Sequence, residues 1–270
     1  MTFPAHPAVL LTGASVGIGR ELALQLAGGR GGGARLALAA RDAAKLEEVA
    51  ALCRERGAEA FVLPGDVSVE SDCRRLVELA VDRLGGLDML LLNAGQDMWA
   101  RLDELEDASI LERILRVNYL GPAWLTRFAL PQLKASRGRI VVVSSLAGLT
   151  GVPTRTGYAA SKHALHGFFD SLRIELAGTG VSVTLACPDF VLSEIHRRAL
   201  GPDGKPLGTS PMRESKIMTA AECARRILLA AQRRQRMAIL SLRGRVGRYV
   251  RLVAPGLIDW IAARAVARGH

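Results

Sequence analysis

The chain has 270 residues, a formal net charge of +10 and 49% hydrophobic residues. That length suits one α/β domain with a full core, and no apolar run approaches the length of a membrane span. The four cysteines (Cys53, Cys73, Cys187, Cys223) show no paired or metal-ligating spacing, so, with no secretory signal at the N-terminus, they read as reduced thiols of a cytoplasmic protein that needs no metal.

In chain order, the apolar run Ala8-Val9-Leu10-Leu11-Thr12 predicts a buried strand. It leads into Gly13-Ala14-Ser15-Val16-Gly17-Ile18-Gly19 and then a strongly helical stretch, 20–27. Glycines between a strand and a helix let the backbone approach a pyrophosphate seated on the helix N-terminus. The glycine-rich stretch 28–33 reads as a loop insertion without a function. A second strand, 35–40, ends at Arg41, where a guanidinium suits a ribose 2′-phosphate. Arg41 therefore points to NADP(H) over NAD(H), with Ser15 helping at the phosphate. Asp42, the next residue, is a competing partner for an unphosphorylated ribose.

Further on, Asp66-Val67 follows a third predicted strand. Asn93-Ala94-Gly95 closes the apolar run 87–92, Asn118 sits in Arg116-Val117-Asn118-Tyr119, and Ser144-Ser145 closes the run Ile140–Val143. Tyr158 and Lys162 stand four apart in Tyr158-Ala159-Ala160-Ser161-Lys162, so a helix there puts both on one face. An ammonium beside a phenol favours the phenolate and lowers the phenol's pKa toward working pH. A serine hydroxyl near that pair can hold a carbonyl oxygen as charge develops on it. Strands alternating with helical patterns through about residue 190 predict a parallel sheet covered on both faces.

These motifs together resemble the short-chain dehydrogenase/reductase family in its compact branch, from about Ala8 to Pro188 and beyond. The resemblance implies a single-domain, Rossmann-type doubly wound parallel sheet and an NADP-dependent oxidoreductase acting on a carbonyl or secondary alcohol. It assigns the cofactor turn to Gly13, Gly17, Ile18 and Gly19. Asp66 and Val67 go to the adenine, Asn93-Ala94-Gly95 to the turn after the fourth strand, and Pro188, Val191 and Ser193 to the nicotinamide end. By the same resemblance Tyr158 is the acid/base, Lys162 lowers its pKa and holds the nicotinamide ribose, Ser145 polarises the substrate oxygen, and Asn118 positions a water on the proton path. The distance to Tyr158 selects Ser145 over Ser144. Two departures stand out: Asp189 replaces the glycine that often follows Pro188, and Val16 occupies a position that is basic in many NADP-dependent members.

The substrate loop is expected at 191–217, with Leu146, Val152, Phe190 and Met212 beside the reacting carbon. This apolar lining favours an aliphatic, lipid-like or steroid-like ketone. Residues 1–232 form the expected catalytic body and 233–270 a basic extension, with nine arginines against Asp259, a net +8 that leaves +2 for the rest. Within it Leu242, Val246, Tyr249, Val250 and Val253 share one helical face and Arg245, Arg248 and Arg251 the other. Two occupants fit that apolar face: the protein body or a second subunit, or a membrane surface contacted peripherally through 241–270. Nucleic acid is not expected, because no stacking aromatics interleave with the charges. A homo-dimer or homo-tetramer is expected through helices near 107–133 and 158–176. The competing reading is an NADP-binding sensor or membrane-docked scaffold without turnover.

Overall fold

In a parallel sheet covered on both faces, every strand residue is buried, so strands read as unbroken apolar runs. The computed structural model, which describes residues 5–29, 33–209 and 217–267, shows this in β1 (Ala8–Thr12), β4 (Met89–Leu92) and β5 (Arg139–Val143), each buried throughout. With β2 (Arg35–Ala40), β3 (Glu59–Pro64), β6 (Ser182–Cys187) and β9 (Met237–Ile239) they form a seven-stranded, all-parallel sheet in the order β3-β2-β1-β4-β5-β6-β9. Parallel neighbours need crossovers, and helices supply them. These are α1 (Gly17–Ala27), α2 (Ala43–Glu55), α3 (Glu70–Leu84), α4 (Ser109–Leu115), α5 (Gly121–Ala135), α6 (Thr156–Glu175) and α7 (Ala220–Gln232).

Alternation along the strands divides the core into two layers. Val9, Leu11, Leu36, Leu38 and Leu91 face α1, α2 and α7. Leu10, Ala37, Leu90, Ile140 and Val142 face α3, α5 and α6. Phe169 of α6 is fully buried in the second layer and meets Phe168 edge-on, ring centroids 5.0 Å apart.

The strand order reverses between β1 and β4, so the loops leaving those two strands diverge and open a crevice at their carboxyl ends. Three local features shape its walls. A π-helical turn, Arg116–Leu120, joins α4 to α5 and carries Asn118. A short 3-10 turn, Leu146–Gly148, follows β5. Beyond β6 the chain forms a small parallel pair, β7 (Val191–Leu192) with β8 (Met218–Thr219). No helix among the described residues is long and apolar enough to cross a membrane.

After β9 come α8 (Leu242–Val253) and α9 (Pro255–Ala267). Gly244 of α8 has a packing reason: a Cβ there would meet Leu146 at 2.5 Å. The helix lies arginine-side down. Arg245 Nε donates to Ile239 O (3.0 Å), and the Arg251 guanidinium donates to Leu149 O. Leu242, Val246, Tyr249 and Val253 are exposed, Val253 at 85%. The apolar face thus turns away from the body of its own chain, contrary to that part of the expectation, and leaves a second subunit or a membrane surface as the expected occupants.

Phe169→Ala is expected to lower the unfolding free energy by about 3–5 kcal/mol, because a large cavity opens in the second layer. A urea titration followed by far-ultraviolet dichroism measures it.

Candidate active site

The crevice holds a continuous cavity of ≈ 910 Å³. Its floor at one end is the turn after β1. Gly13 and Gly17 have φ of +65° and +55°, conformations that side chains resist. A Cβ on Gly19 would lie 2.0 Å from Gly13 O, so only glycine closes this turn. Asn93 locks the turn from the next strand: its Nδ2 donates to Thr12 O (3.2 Å) and Gly13 O (3.1 Å), while Thr12 Oγ1 accepts from the Asn93 and Ala94 amides. No side chain caps α1 and no acid occupies its first turn, which leaves its N-terminus open to an anion. Ser193 closes over this end, its Cβ 3.2 Å from where a Cβ on Gly17 would stand.

Ser15 and Ile18 line the same stretch, and Asp66, Val67 and Arg41 line the flank beyond it. Arg41 is exposed. Asp42 also lines the cavity, but its carboxylate is engaged in capping α2, accepting from Lys45 N at 3.1 Å with the Lys45 ammonium at 3.8 Å. The pocket thus offers a closed glycine turn, an uncapped helix N-terminus and a long flank, features that fit a dinucleotide.

At the other end, α6 presents Tyr158 and Lys162 on the same face, 7% and 3% exposed. Lys162 Nζ donates to Val143 O at 2.9 Å and lies 5.6 Å from the Tyr158 ring centroid. The Ser145 hydroxyl hydrogen-bonds the Tyr158 phenol. Ser145 Oγ also accepts from Ala147 N at 3.1 Å, capping the 3-10 turn. Ser144 Oγ instead lies 3.1 Å from His166 Nε2. Asn118 is fully buried and behind the cavity wall. Its Oδ1 accepts from Gln96 N (2.8 Å), and its Nδ2 donates to Gln96 O and Ser161 Oγ (both 2.9 Å). That side chain is committed to holding the Gly95-Gln96 segment against α6. Gly95, Ala94, Pro188, Val191, Leu146, Val152 and Phe190 all reach the cavity, whereas Met212 lies outside the described residues.

The electrostatics differ from the sequence expectation. Burial pushes the Tyr158 phenol up to about 12, with the Asp97 carboxylate adding to the rise and Arg155 and the Ser145 hydrogen bond opposing it. Burial also pushes Lys162 down, to about 8. Desolvation therefore outweighs the lowering expected from the Tyr158–Lys162 spacing.

Several contributors carry no local sequence signal. Asp97, Arg155 and His196 line the substrate end, and Gly244, Ile258 and Ile261 bring α8 and α9 to the same cavity. Asp189, the departure after Pro188, has no positive φ, so its backbone is unstrained. Its carboxylate accepts from Arg243 NH2 (2.6 Å), Arg243 Nε (3.1 Å) and Ser241 Oγ (2.9 Å), tying α8 to the loop after β6.

Residues 7–201 match the family model described as short chain dehydrogenase. The chain belongs to the short-chain dehydrogenase family. It is 35% identical over 259 residues to a dehydrogenase/reductase SDR family protein 7-like of Dictyostelium discoideum, covering 94% of this chain and 79% of that one. It is 37% identical over 259 residues to the 11-beta-hydroxysteroid dehydrogenase 1A of Arabidopsis thaliana, covering 93% and 73%. Among solved structures, a short-chain dehydrogenase/reductase from Burkholderia phymatum in complex with NAD superposes with a TM-score of 0.81 at 26% identity, covering 93% and 95%. An alcohol dehydrogenase from Thermococcus sibiricus complexed with 5-hydroxy-NADP gives 0.73 at 29%, covering 88% and 96%. As a short-chain dehydrogenase the chain is an NAD(P)-dependent oxidoreductase acting on CH–OH groups.

One pH effect follows from the residues beneath the site. Burial pushes the His166 imidazole down to about 4, from an ordinary 6.5. The unfolded chain then binds more protons than the folded one between those values, so stability falls as pH drops through that window. His166→Gln is expected to remove at most about 3 kcal/mol of that loss, read from urea unfolding at the two ends of the window.

Proposed function

We propose that this short-chain dehydrogenase is an NADP(H)-dependent carbonyl reductase or alcohol dehydrogenase for an apolar substrate, with Tyr158 as the proton donor and acceptor. The observation that carries this reading is the convergence of Tyr158, Ser145 and Lys162 on one end of a cavity whose other end is the glycine turn. The chemistry a bound nicotinamide supplies is hydride transfer to or from the carbonyl carbon. Ser145 holds the substrate oxygen against Tyr158. In reduction the Tyr158 hydroxyl gives its proton to that oxygen as the negative charge develops; in oxidation the phenolate takes it back. Lys162 holds the nicotinamide ribose and keeps a positive charge within reach of the phenol. Asn118 acts by fixing the segment next to Lys162 rather than through a free amide.

Arg41 supports NADP(H), since Asp42 is held by its helix cap while the guanidinium stays available for two charge-assisted bonds to a 2′-phosphate. Leu146, Val152 and Phe190, joined by Ile258 and Ile261, support an apolar substrate. The relatives named 11-beta-hydroxysteroid dehydrogenase favour a rigid, steroid-like ketone or alcohol within that class.

The outward apolar face of α8, with Leu257 and Trp260 of α9, favours peripheral contact with an anionic lipid surface, which the basic tail complements. Assembly into two or four copies through 107–133 and 158–176 stands beside this reading, with Ile174 on α6 76% exposed.

Tyr158→Phe is expected to abolish NADPH oxidation at 340 nm with apolar ketones while nucleotide binding persists; retained turnover overturns the acid/base assignment. Because a phenol with a raised pKa stays protonated well above neutral pH, alcohol oxidation should climb as pH is raised through the alkaline range, while carbonyl reduction stays level until the phenol begins to ionise. Arg41→Ala should raise the KM for NADPH by about 10- to 100-fold, with little change for NADH. Co-sedimentation should show binding to vesicles containing anionic phospholipid but not to phosphatidylcholine alone, weakened by Trp260→Ser.

A further inference from the structure

Three buried ionisable side chains meet beside Tyr158, and none of them takes part in the chemistry described above. Asp97 is 1% exposed, Arg155 4% and His196 7%. Asp97 Oδ2 accepts from the Arg155 guanidinium, and Oδ1 accepts from Met98 N at 2.9 Å. Arg155 NH2 lies 3.2 Å from His196 Nδ1. A guanidinium can only donate, so Nδ1 accepts and the imidazole proton sits on Nε2. The guanidinium carbon stands 5.0 Å from the Trp99 ring, 5.3 Å from the Tyr158 ring and 5.6 Å from the Phe190 ring. The three residues come from three separate pieces of chain: the segment after β4, the residue capping α6, and the segment after β7.

A buried ion pair is an expensive way to hold a fold together, since well-packed apolar side chains often do it as well or better. Its position suggests a different use. The cation touches the faces of the proposed proton donor and of the substrate-lining Phe190, and it is oriented by a carboxylate and an imidazole from two other segments. We propose that Arg155, fixed by Asp97 and His196, is a positioning residue for proton transfer at Tyr158, holding the ring in place and neutralising the carboxylate buried beside it. The proposal rests on the reading of Tyr158 as the acid/base.

The charged and titratable groups around the phenol are Lys162 on α6, Asp97 after β4, Arg155 at the head of α6, His196 after β7 and, beyond Phe190, Arg243 of α8. Asp97 disfavours the phenolate and Arg155 favours it. Loss of Arg155 alone leaves a buried carboxylate uncompensated next to the group that must ionise. Loss of both charges removes the two opposing effects together.

The test is the pH dependence of kcat for oxidation of an apolar secondary alcohol with NADP+, using the full chain and the variants Arg155→Met, Arg155→Lys, Asp97→Asn and the double variant Asp97→Asn/Arg155→Met. Arg155→Met should move the rise in kcat to higher pH by about one to three units, read as a kcat about 10- to 1,000-fold lower at a fixed pH below the midpoint, with the KM for NADP+ unchanged. Arg155→Lys should recover part of that shift, and Asp97→Asn should move the rise the other way. The double variant should return the midpoint close to that of the parent, and it serves as the deciding case if Arg155→Met alone does not fold. A parental midpoint in Arg155→Met, or a double variant shifted upward, overturns the proposal and leaves the cluster a structural tie. Turnover surviving Tyr158→Phe would instead overturn the acid/base reading, so the two failures are distinguishable.

Discussion

A parallel strand cannot turn back on its neighbour; it must be carried across the sheet by a helix before it can pair. That constraint places the carboxyl ends of all seven strands along one edge, because the chain leaving each of the first six there enters a crossover, and the chain leaving β9 runs into α8. The reversal between β1 and β4 then separates two of those loops and creates a crevice. Strand ends deliver much of what bears on chemistry, the glycine turn by β1, Arg41 by β2, Asn93 by β4, Ser145 by β5 and Asp189 by β6, and α6 adds Tyr158 and Lys162 from the side. The site is a consequence of connectivity before it is a consequence of side chains.

Within the crevice, burial sets the electrostatic terms. Tyr158 and Lys162 are enclosed deeply enough that desolvation raises one pKa and lowers the other. Both shifts favour the neutral forms. A charge brought into such surroundings acts strongly because little solvent screens it, and so the buried Asp97 and Arg155 matter to the phenol despite standing outside the Ser145–Tyr158–Lys162 set. The same low-dielectric setting explains the neutral His166 beneath Ser144.

Much of this was legible in the chain. The runs 8–12 and 35–40 coincide with β1 and β2 because a doubly covered strand has no polar face to confuse the pattern. Helical spacing put Tyr158 and Lys162 on one face, and the family resemblance gave them their expected roles. The serine could be chosen by its distance to Tyr158, and the structure gives the reason: Ser145 faces the phenol whereas Ser144 is engaged with His166. What escaped was long-range or directional. Periodicity showed that Leu242, Val246, Tyr249 and Val253 share a face, but not that the arginine side lies inward, because that depends on how the helix leaves β9 at Ile239 and on the carbonyl of Leu149, 102 residues from Arg251. Asp97 and Arg155 are 58 residues apart and meet only through the fold. Asn118 was recognised as a site residue, yet spacing gave no sign that its amide is engaged by Gln96 and Ser161.

Asp189 joins these threads. A glycine at this point would leave the loop after β6 and the C-terminal helices mechanically independent, each able to vary without the other. The carboxylate instead fastens Ser241 and Arg243 to that loop. Since α8 and α9 also wall the cavity, the tail is not a detachable module. Transplanting it onto a family member with glycine at that position would deliver the helices without their tie to this loop, and exchanging Asp189 in this chain would loosen a wall formed more than fifty residues further on. Substrate enclosure and loop chemistry are inherited together here, as one linked pair of positions.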